Sequence, residues 1–342
     1  MEKILIIETA FLGDAVISLA LAEAIRIHFP LASISILVRP ESASLMKYAP
    51  SITNVICYDK YGEEGGMQGV KVKAKELNEY CFDTVFCLHN SKRTAALLQR
   101  LTIPMKVGFT SAKHIRSQLN HIVEEMPIWR VQRVQTLLSP FIKNSDTAHL
   151  PLFQLPDSLL PAAIMQLSEY IAIAPGSVWD TKQWGAGKYA DLIRGLIVKG
   201  HNVVLVGSKT DRVVADVIVS LIGKNDSLIS LAGETSVEEA ATIIAQSVLL
   251  ITNDSAPVHI ALATGVHSFI MLGPTVREFG FVPPTEHATV FEDVGLWCRP
   301  CSSHGSRTCP VYTHDCMKNI DANIVLERAL SYLELKKEGV LR

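Results

Sequence analysis

Residues 247–275 constrain the fold more than any other stretch of the chain. Val248 to Thr252 is a short apolar run with the length and composition of a fully buried strand. Asn253, Asp254 and Ser255 follow, three residue types that favour helix N-caps, and Pro257 falls where the first turn of a helix tolerates proline. His259 to Thr264 supplies the helix, Gly265 stops it, and Ser268 to Leu272 reads as a second buried strand ending in Gly-Pro-Thr. A helix that starts at the end of a strand presents unpaired N–H groups and the positive end of a dipole, an arrangement suited to phosphate. Two roles fit Asp254 at this point: a cap in an ordinary βαβ unit, or a contact to a ligand at the strand edge.

The same alternation runs through the rest of the chain. Strands are expected over 3–7, 34–38, 55–58, 84–88 and 105–109, with helices over 15–28, from Ser42, after the loop at 61–66, and over 92–100. After Ile142 the pattern lapses, and the stretch from Asn144 to Pro161 is rich in Pro, Asp and Ser, as a linker would be. A second series predicts strands over 171–174, 203–206 and 228–231, helices reaching Lys199 and over 211–222, and a capping box at Ser236-x-x-Glu239. The expected organisation is a Rossmann-like domain over 1–150, a linker over 151–168, a second Rossmann-like domain over 169–320 and a C-terminal helix over 321–342. Two such α/β halves are expected to face a central cleft, with ligands at the carboxyl ends of their parallel strands. No internal repeat is visible.

At 342 residues the chain can bury two cores, and 48% hydrophobic against 19% charged residues suits buried parallel sheets. With 32 Lys and Arg against 34 Asp and Glu, the net charge of −2 argues against nucleic acid as a partner. The charge is uneven, however. Lys92, Arg93, Arg100, Lys106, Lys113, Arg116, Arg130 and Arg133 face only Glu124 and Glu125 in the same stretch. No apolar run reaches membrane-spanning length, and the first residues lack a signal-peptide layout, so a cytoplasmic protein is expected. Cys57, Cys81 and Cys87 lie in or beside strand-like runs and are expected as buried free thiols.

Three loops carry candidate chemistry. Asp14 stands beside Gly13 at the turn after the first strand, where a carboxylate either caps the following helix or serves a ligand. The loop from Ala174 to Trp184 offers Gly176, Ser177, Thr181 and Lys182, the backbone donors, hydroxyls and point charge that a phosphate requires. Gly207-Ser208-Lys209-Thr210-Asp211 adds a third loop on the same edge. The first strand is not followed by G-x-G-x-x-G, and there is no P-loop, G-x-S-x-G or H-E-x-x-H. His259 is expected to pack beneath its loop.

Taken together in this order, Leu12-Gly13-Asp14, Ala174-Pro175-Gly176-Ser177 with Thr181-Lys182-x-Trp184, Gly207-Ser208 with Asp211-Arg212, and Asn253-Asp254-Ser255 with His259 resemble glycosyltransferase family 9, which includes the lipopolysaccharide heptosyltransferases. The resemblance spans nearly the whole chain. It implies a GT-B architecture with acceptor on the N-terminal domain and nucleotide sugar on the C-terminal one. It also implies inverting transfer of heptose from ADP-heptose to the inner core of lipopolysaccharide, on a lipid A–core acceptor, by a cytoplasmic protein peripheral to the inner membrane. By position, Asp14 resembles the catalytic base. Lys182, with Ser177 and Thr181, resembles the group facing the diphosphate; Asp254, with the backbone of Ser255 and Ala256, resembles the donor contact, and Asp211 falls near the nucleoside loop. Gly176, Gly207 and His259 complete the implied donor site, and Arg116 and Arg130 are expected to meet anionic groups of the acceptor. Ala256 departs from the glycine of many relatives. The implied chemistry requires no cofactor.

The remaining motif is Cys298-x₂-Cys301-x₇-Cys309-x₆-Cys316, with His304 and His314 among the thiols. Such spacing suits a structural zinc or iron ion, free thiols or disulfides. Other function classes compatible with the pattern are a two-domain dehydrogenase or epimerase, and a non-catalytic sugar-nucleotide-binding protein.

Overall fold

The computed structural model of the chain describes residues 1–142 and 148–340; Asn144 to Thr147 of the expected linker and the last two residues of the expected C-terminal helix lie outside them. The chain divides into two compact units, Met1–Gln154 and Leu155–Arg342. In the first, β1 (Lys3–Ile7), α1 (Leu12–His28), β2 (Ser33–Val38), α2 (Pro40–Met46), β3 (Asn54–Cys57) and α3 (Gly66–Glu79) alternate. They lead to β4 (Thr84–Cys87), α4 (Lys92–Leu98), β5 (Met105–Phe109), β6 (His121–Val123) and α5 (Arg130–Gln135). The six strands form one parallel sheet in the order β3-β2-β1-β4-β5-β6. Ile4 to Ile7 are wholly buried, because a central parallel strand is covered by helices on both faces.

The second unit repeats this design. It contains β7 (Ile171–Ala174), α6 (Ala186–Val198), β8 (Val203–Leu205), α7 (Arg212–Ile222), β9 (Leu228–Ser230) and α8 (Val237–Ala245). Next come β10 (Leu249–Asn253), α9 (Ala256–Thr264), β11 (Ser268–Met271), β12 (Ala288–Phe291), α10 (Asp315–Lys318) and α11 (Ala322–Lys337). Its parallel sheet runs β12-β11-β10-β7-β8-β9, which is the order of the first sheet when strands are counted from β7. Topology repeats although the sequence shows no repeat, since any buried apolar strand and amphipathic helix can serve the same layer. The capping box at α8 is complete: Glu239 N donates to Ser236 Oγ at 3.2 Å and Ser236 N to Glu239 Oε2 at 2.7 Å.

In each sheet the winding direction reverses beside the first strand, between β1 and β4 and again between β7 and β10. Open parallel sheets bind ligands beyond the carboxyl ends of their strands at this reversal.

Several expectations change. Cys57 and Cys81 are exposed and only Cys87 is buried. β3 is an edge strand whose alternate side chains face outward, and Cys81 sits in a turn with φ 54°. Helix α1 begins at Leu12, not Ala15, so Asp14 lies inside its first turn and does not cap it. Short edge strands β6 and β12 were not anticipated. Among the described residues, no helix is long and apolar enough to cross a membrane.

Candidate active site

In the second unit, the loop after β7 tightens into a single 3₁₀ turn, Asp180–Lys182, and returns Lys182 toward the end of β10. There Lys182 Nζ donates to Asp254 Oδ2 at 2.6 Å, with the two side chains only 11% and 9% exposed. Thr275 Oγ1 donates to the same oxygen at 2.7 Å. Asp254 is therefore an ion-pair partner and not a helix cap. Asn253 is not a cap either, because it ends β10 with no exposure. Its Oδ1 accepts from Trp184 N and Tyr189 OH, both at 3.1 Å, while its Nδ2 donates to Pro175 O at 2.7 Å and Gly176 O at 3.2 Å. One buried amide thus fastens the β7 loop to β10. Ser255 alone occupies the N-cap of α9, and its hydroxyl makes no cap bond, leaving Ala256 to open the helix. Pro257 has no N–H and Val258 N donates to Ser255 O at 3.1 Å, so the backbone N–H groups of Ser255 and Ala256 are the ones this start can offer an anion. His259 is buried on α9 against the ring of Phe281.

The loop after β8 folds onto the loop after β7. Asp211 Oδ2 accepts from Ser208 N at 2.8 Å and Ser208 Oγ at 2.7 Å. The Asp211 carboxyl also lies directly over Gly176, where a Cβ atom would stand 2.0 Å from Asp211 Oδ1. Gly176 is glycine because that space is taken. We therefore expect Gly176→Ala to lower the melting temperature, and Gly176→Ala/Asp211→Ala to regain stability. Calorimetry of both variants checks this; an unaffected single variant would refute the contact.

The cysteine segment has a role that spacing did not suggest: it holds the Lys182 turn from outside. Thr181 N donates to Ser306 O at 3.1 Å, Thr181 Oγ1 donates to the same carbonyl at 2.9 Å, and Ser306 N donates to Thr181 Oγ1 at 2.8 Å. His314 Nε2 lies 2.7 Å from Thr181 O and donates to it. Gly305, at φ 96°, lets the backbone approach Trp179 and Lys182, where a Cβ would come within 2.9 Å and 3.2 Å of their side chains. On the other side, Arg299 Nη2 donates to Thr275 O at 2.8 Å and Cys301 N to Pro274 O at 3.2 Å. The segment so braces both partners of the Asp254 carboxylate.

Cys298, Cys301, Cys309 and Cys316 are free, and among the described residues no three His, Cys, Asp or Glu side chains are arranged to hold a metal ion. Cys316 belongs to the hydrophobic core with Met317, and His314 is engaged by Thr181, so the segment's geometry serves packing and loop bracing. Burial, together with the neighbouring Cys301 thiol, pushes the Cys316 thiol up to about 11.

In the first unit, Asp14 is half-buried in the first turn of α1, against which α5 packs with Arg130 at its start. Around them stand groups that the sequence did not single out. Glu8 and Thr9 follow β1 directly and are 6% and 2% exposed. Ala10 N donates to Glu8 Oε1 at 2.9 Å. His89, after β4, has Nδ1 2.9 Å from Thr9 Oγ1 and 3.0 Å from Thr94 Oγ1. Lys60, 4% exposed, donates from Nζ to Thr9 Oγ1 at 3.4 Å. Arg39, Lys60 and Arg93 surround the exposed ring of Tyr61 at 5.1, 5.0 and 5.4 Å from its centroid. Burial, then the Asp14 charge, pushes Glu8 up to about 8. Burial and the Arg39 charge bring Lys60 down to about 8, burial and Lys60 bring His89 down to about 4, and burial and Arg133 bring Arg130 down to about 10. Arg116, by contrast, is exposed on a separate 3₁₀ turn, Arg116–Gln118. Glu8 and His89 had one legible signal, their place immediately beyond apolar strands; the order that puts those strands side by side was not legible.

Comparison with known proteins gives the family. The family model described as glycosyltransferase family 9 (heptosyltransferase) matches residues 71–311. The chain belongs to glycosyltransferase family 9. Among curated members, the lipopolysaccharide heptosyltransferase 2 of Escherichia coli K12 is 26% identical over 308 residues, covering 83% of this chain and 86% of that protein. The lipooligosaccharide heptosyltransferase 2 of Campylobacter jejuni serotype O:6 is 25% identical over 334 residues, covering 95% and 97%. Among solved structures, E. coli ADP-heptose LPS heptosyltransferase II superposes with a TM-score of 0.81 at 23% identity over 98% of this chain and 99% of that one. The family 9 glycosyltransferase of Veillonella parvula gives 0.83 at 21% identity over 97% of each. This family 9 glycosyltransferase thus has the GT-B fold class, with two Rossmann-like units.

Proposed function

We propose that this family 9 enzyme transfers heptose from ADP-heptose to the inner core of lipopolysaccharide, in the manner of the second heptosyltransferase, with inversion at the anomeric carbon. The observation that carries the donor half is the buried Lys182–Asp254 pair beside the start of α9, at the reversal point of the second sheet. Asp254 aims one N–H of the Lys182 ammonium, leaving two of its three donors for the diphosphate. Lys182 and the backbone of Ser255 and Ala256 stabilise the charge that grows on departing ADP, and transfer proceeds without a cofactor. Gly176, Ser177, Thr181, Gly207 and Asp211 shape the surrounding loops, with Asp211 acting on the nucleoside side through the turn that it ties.

In the first unit, Asp14 takes the proton of the acceptor hydroxyl as it attacks. Arg130, with the Arg39, Lys60 and Arg93 group about Tyr61, meets the phosphates and carboxylates of a lipid A–core acceptor, and Arg116 contributes from the exposed rim. The enzyme works at the cytoplasmic surface of the inner membrane, where anionic headgroups favour basic faces.

Incubation with ADP-heptose, other ADP-sugars, and GDP- and UDP-sugars tests the assignment. Release of ADP from ADP-heptose, dependent on lipopolysaccharide truncated just before its second heptose, is the expected result. Saturation by a different donor would replace heptose by that sugar, and binding without turnover would make the chain a sugar-nucleotide-binding protein.

A further inference from the structure

Glu8 is the buried acid that the transfer chemistry above does not use. It directly follows β1, is 6% exposed, and accepts the Ala10 N–H at 2.9 Å in the turn that leads into α1. The charged and titratable groups facing it come from four directions: Asp14 on α1, Lys60 after β3, Cys87 at the end of β4 and Arg130 on α5. Burial in so dry a place and the neighbouring Asp14 charge favour the protonated acid and outweigh the Ala10 N–H, Lys60 and Arg130, which favour the anion.

We infer that Glu8 is a positioning residue that stays a neutral acid, holding the turn into α1 and leaving the negative charge of the pair on Asp14. This inference rests on Asp14 being the base. As a neutral group Glu8 costs little to bury, yet its Oε1 still fixes the Ala10 N–H and so the approach of the chain to Asp14. Its ordinary value is 4.5 and burial lifts it to about 8, so at neutral pH the acid form dominates. Raising the pH through that value places a second anion beside Asp14, which opposes an acceptor bearing phosphate or carboxylate. Lys60 loses its charge in the same range, so the two groups need separate tests.

Glu8→Gln keeps the shape and the Ala10 acceptor but cannot ionise, whereas Glu8→Ala removes both. Rates with ADP-heptose and lipopolysaccharide truncated just before its second heptose are to be followed from about pH 6 to about pH 9. The wild type is expected to lose kcat/KM for the acceptor above about pH 8, and Glu8→Gln to match it at pH 7 and show a smaller alkaline loss, the remainder being that of Lys60. Glu8→Ala is expected to lower kcat by up to about 10²-fold through misplacement of Asp14. Infrared difference spectra of the substrate-free protein supply a readout independent of activity: a protonated carboxyl band at pH 7 that Glu8→Gln removes. Absence of that band, or a Glu8→Gln variant inactive at every pH, overturns the inference. An alkaline loss in Glu8→Gln as large as that of the wild type overturns it too, assigning the whole loss to Lys60. If the band is present but neither Asp14 nor the donor matters to turnover, the fault lies with the assigned reaction.

Discussion

Lys182→Ala is expected to lower the rate of transfer by about 10²–10³, the usual cost of removing one preorganised electrostatic donor. It is also expected to destabilise the second unit, because it strands the Asp254 carboxylate, 9% exposed, with Thr275 as its remaining neutral donor. Breaking a buried ion pair from one side costs about 3–5 kcal/mol. The two effects separate in the double variant Lys182→Ala/Asp254→Asn. Removing both charges abolishes the stranded anion, and Asn still accepts from Thr275 Oγ1, so stability returns while transfer stays slow. Calorimetry together with kcat and the donor KM makes the comparison. Recovery of the rate along with the stability would reduce Lys182 to a structural partner of Asp254.

Asp14→Asn is expected to slow transfer by about 10²–10⁴, the range for loss of a general base, with ADP-sugar affinity unchanged. The substitution preserves size and cannot take a proton. Nor does it remove a helix cap, since the N-cap of α1 is Phe11 and Asp14 sits in the first turn. What is lost structurally includes the attraction of a first-turn carboxylate to the helix dipole, about 0.3–1 kcal/mol, and to the Arg130 and Arg133 guanidinium groups nearby. A nearly unchanged melting temperature with a collapsed kcat is therefore the signature. Wild-type transfer by the Asn variant would leave Asp14 a structural role only, toward the helix dipole, Arg130 and Arg133.

Much of this architecture is legible along the chain. Periodicity located β1, β4, β7, β10 and β11 because buried parallel strands are continuous apolar runs. The box at Ser236 and Glu239 marked the start of α8 because both halves of that contact lie within one turn. Gly13-Asp14, Thr181-Lys182 and Asn253-Asp254-Ser255 stood out as polar groups at strand edges. Local residue preference went wrong where distant partners compete. Asn253 and Asp254 are good caps by type, but Trp184, Tyr189 and Lys182 claim their side chains from outside the local segment. The Cys298-x₂-Cys301 spacing likewise did not disclose that Arg299 and Ser306 tie this segment to Thr275 and Thr181.

The sequence by itself determined the α/β class, the two series of strands and helices, and the family to which the motifs belong. These rest on periods and motifs contained within a few turns of chain. Only the tertiary structure decided which strand ends are neighbours, and so which side chains meet. The order β3-β2-β1-β4-β5-β6 places Glu8 and Thr9 beside His89, about eighty positions away in the chain, and the matching order of the second sheet brings Lys182 to Asp254. The physical reason is that burial and charge are shared properties. Glu8 holds its proton only where β1, α1 and α5 enclose it, and Lys182 is aimed only where a carboxylate from another strand waits for it.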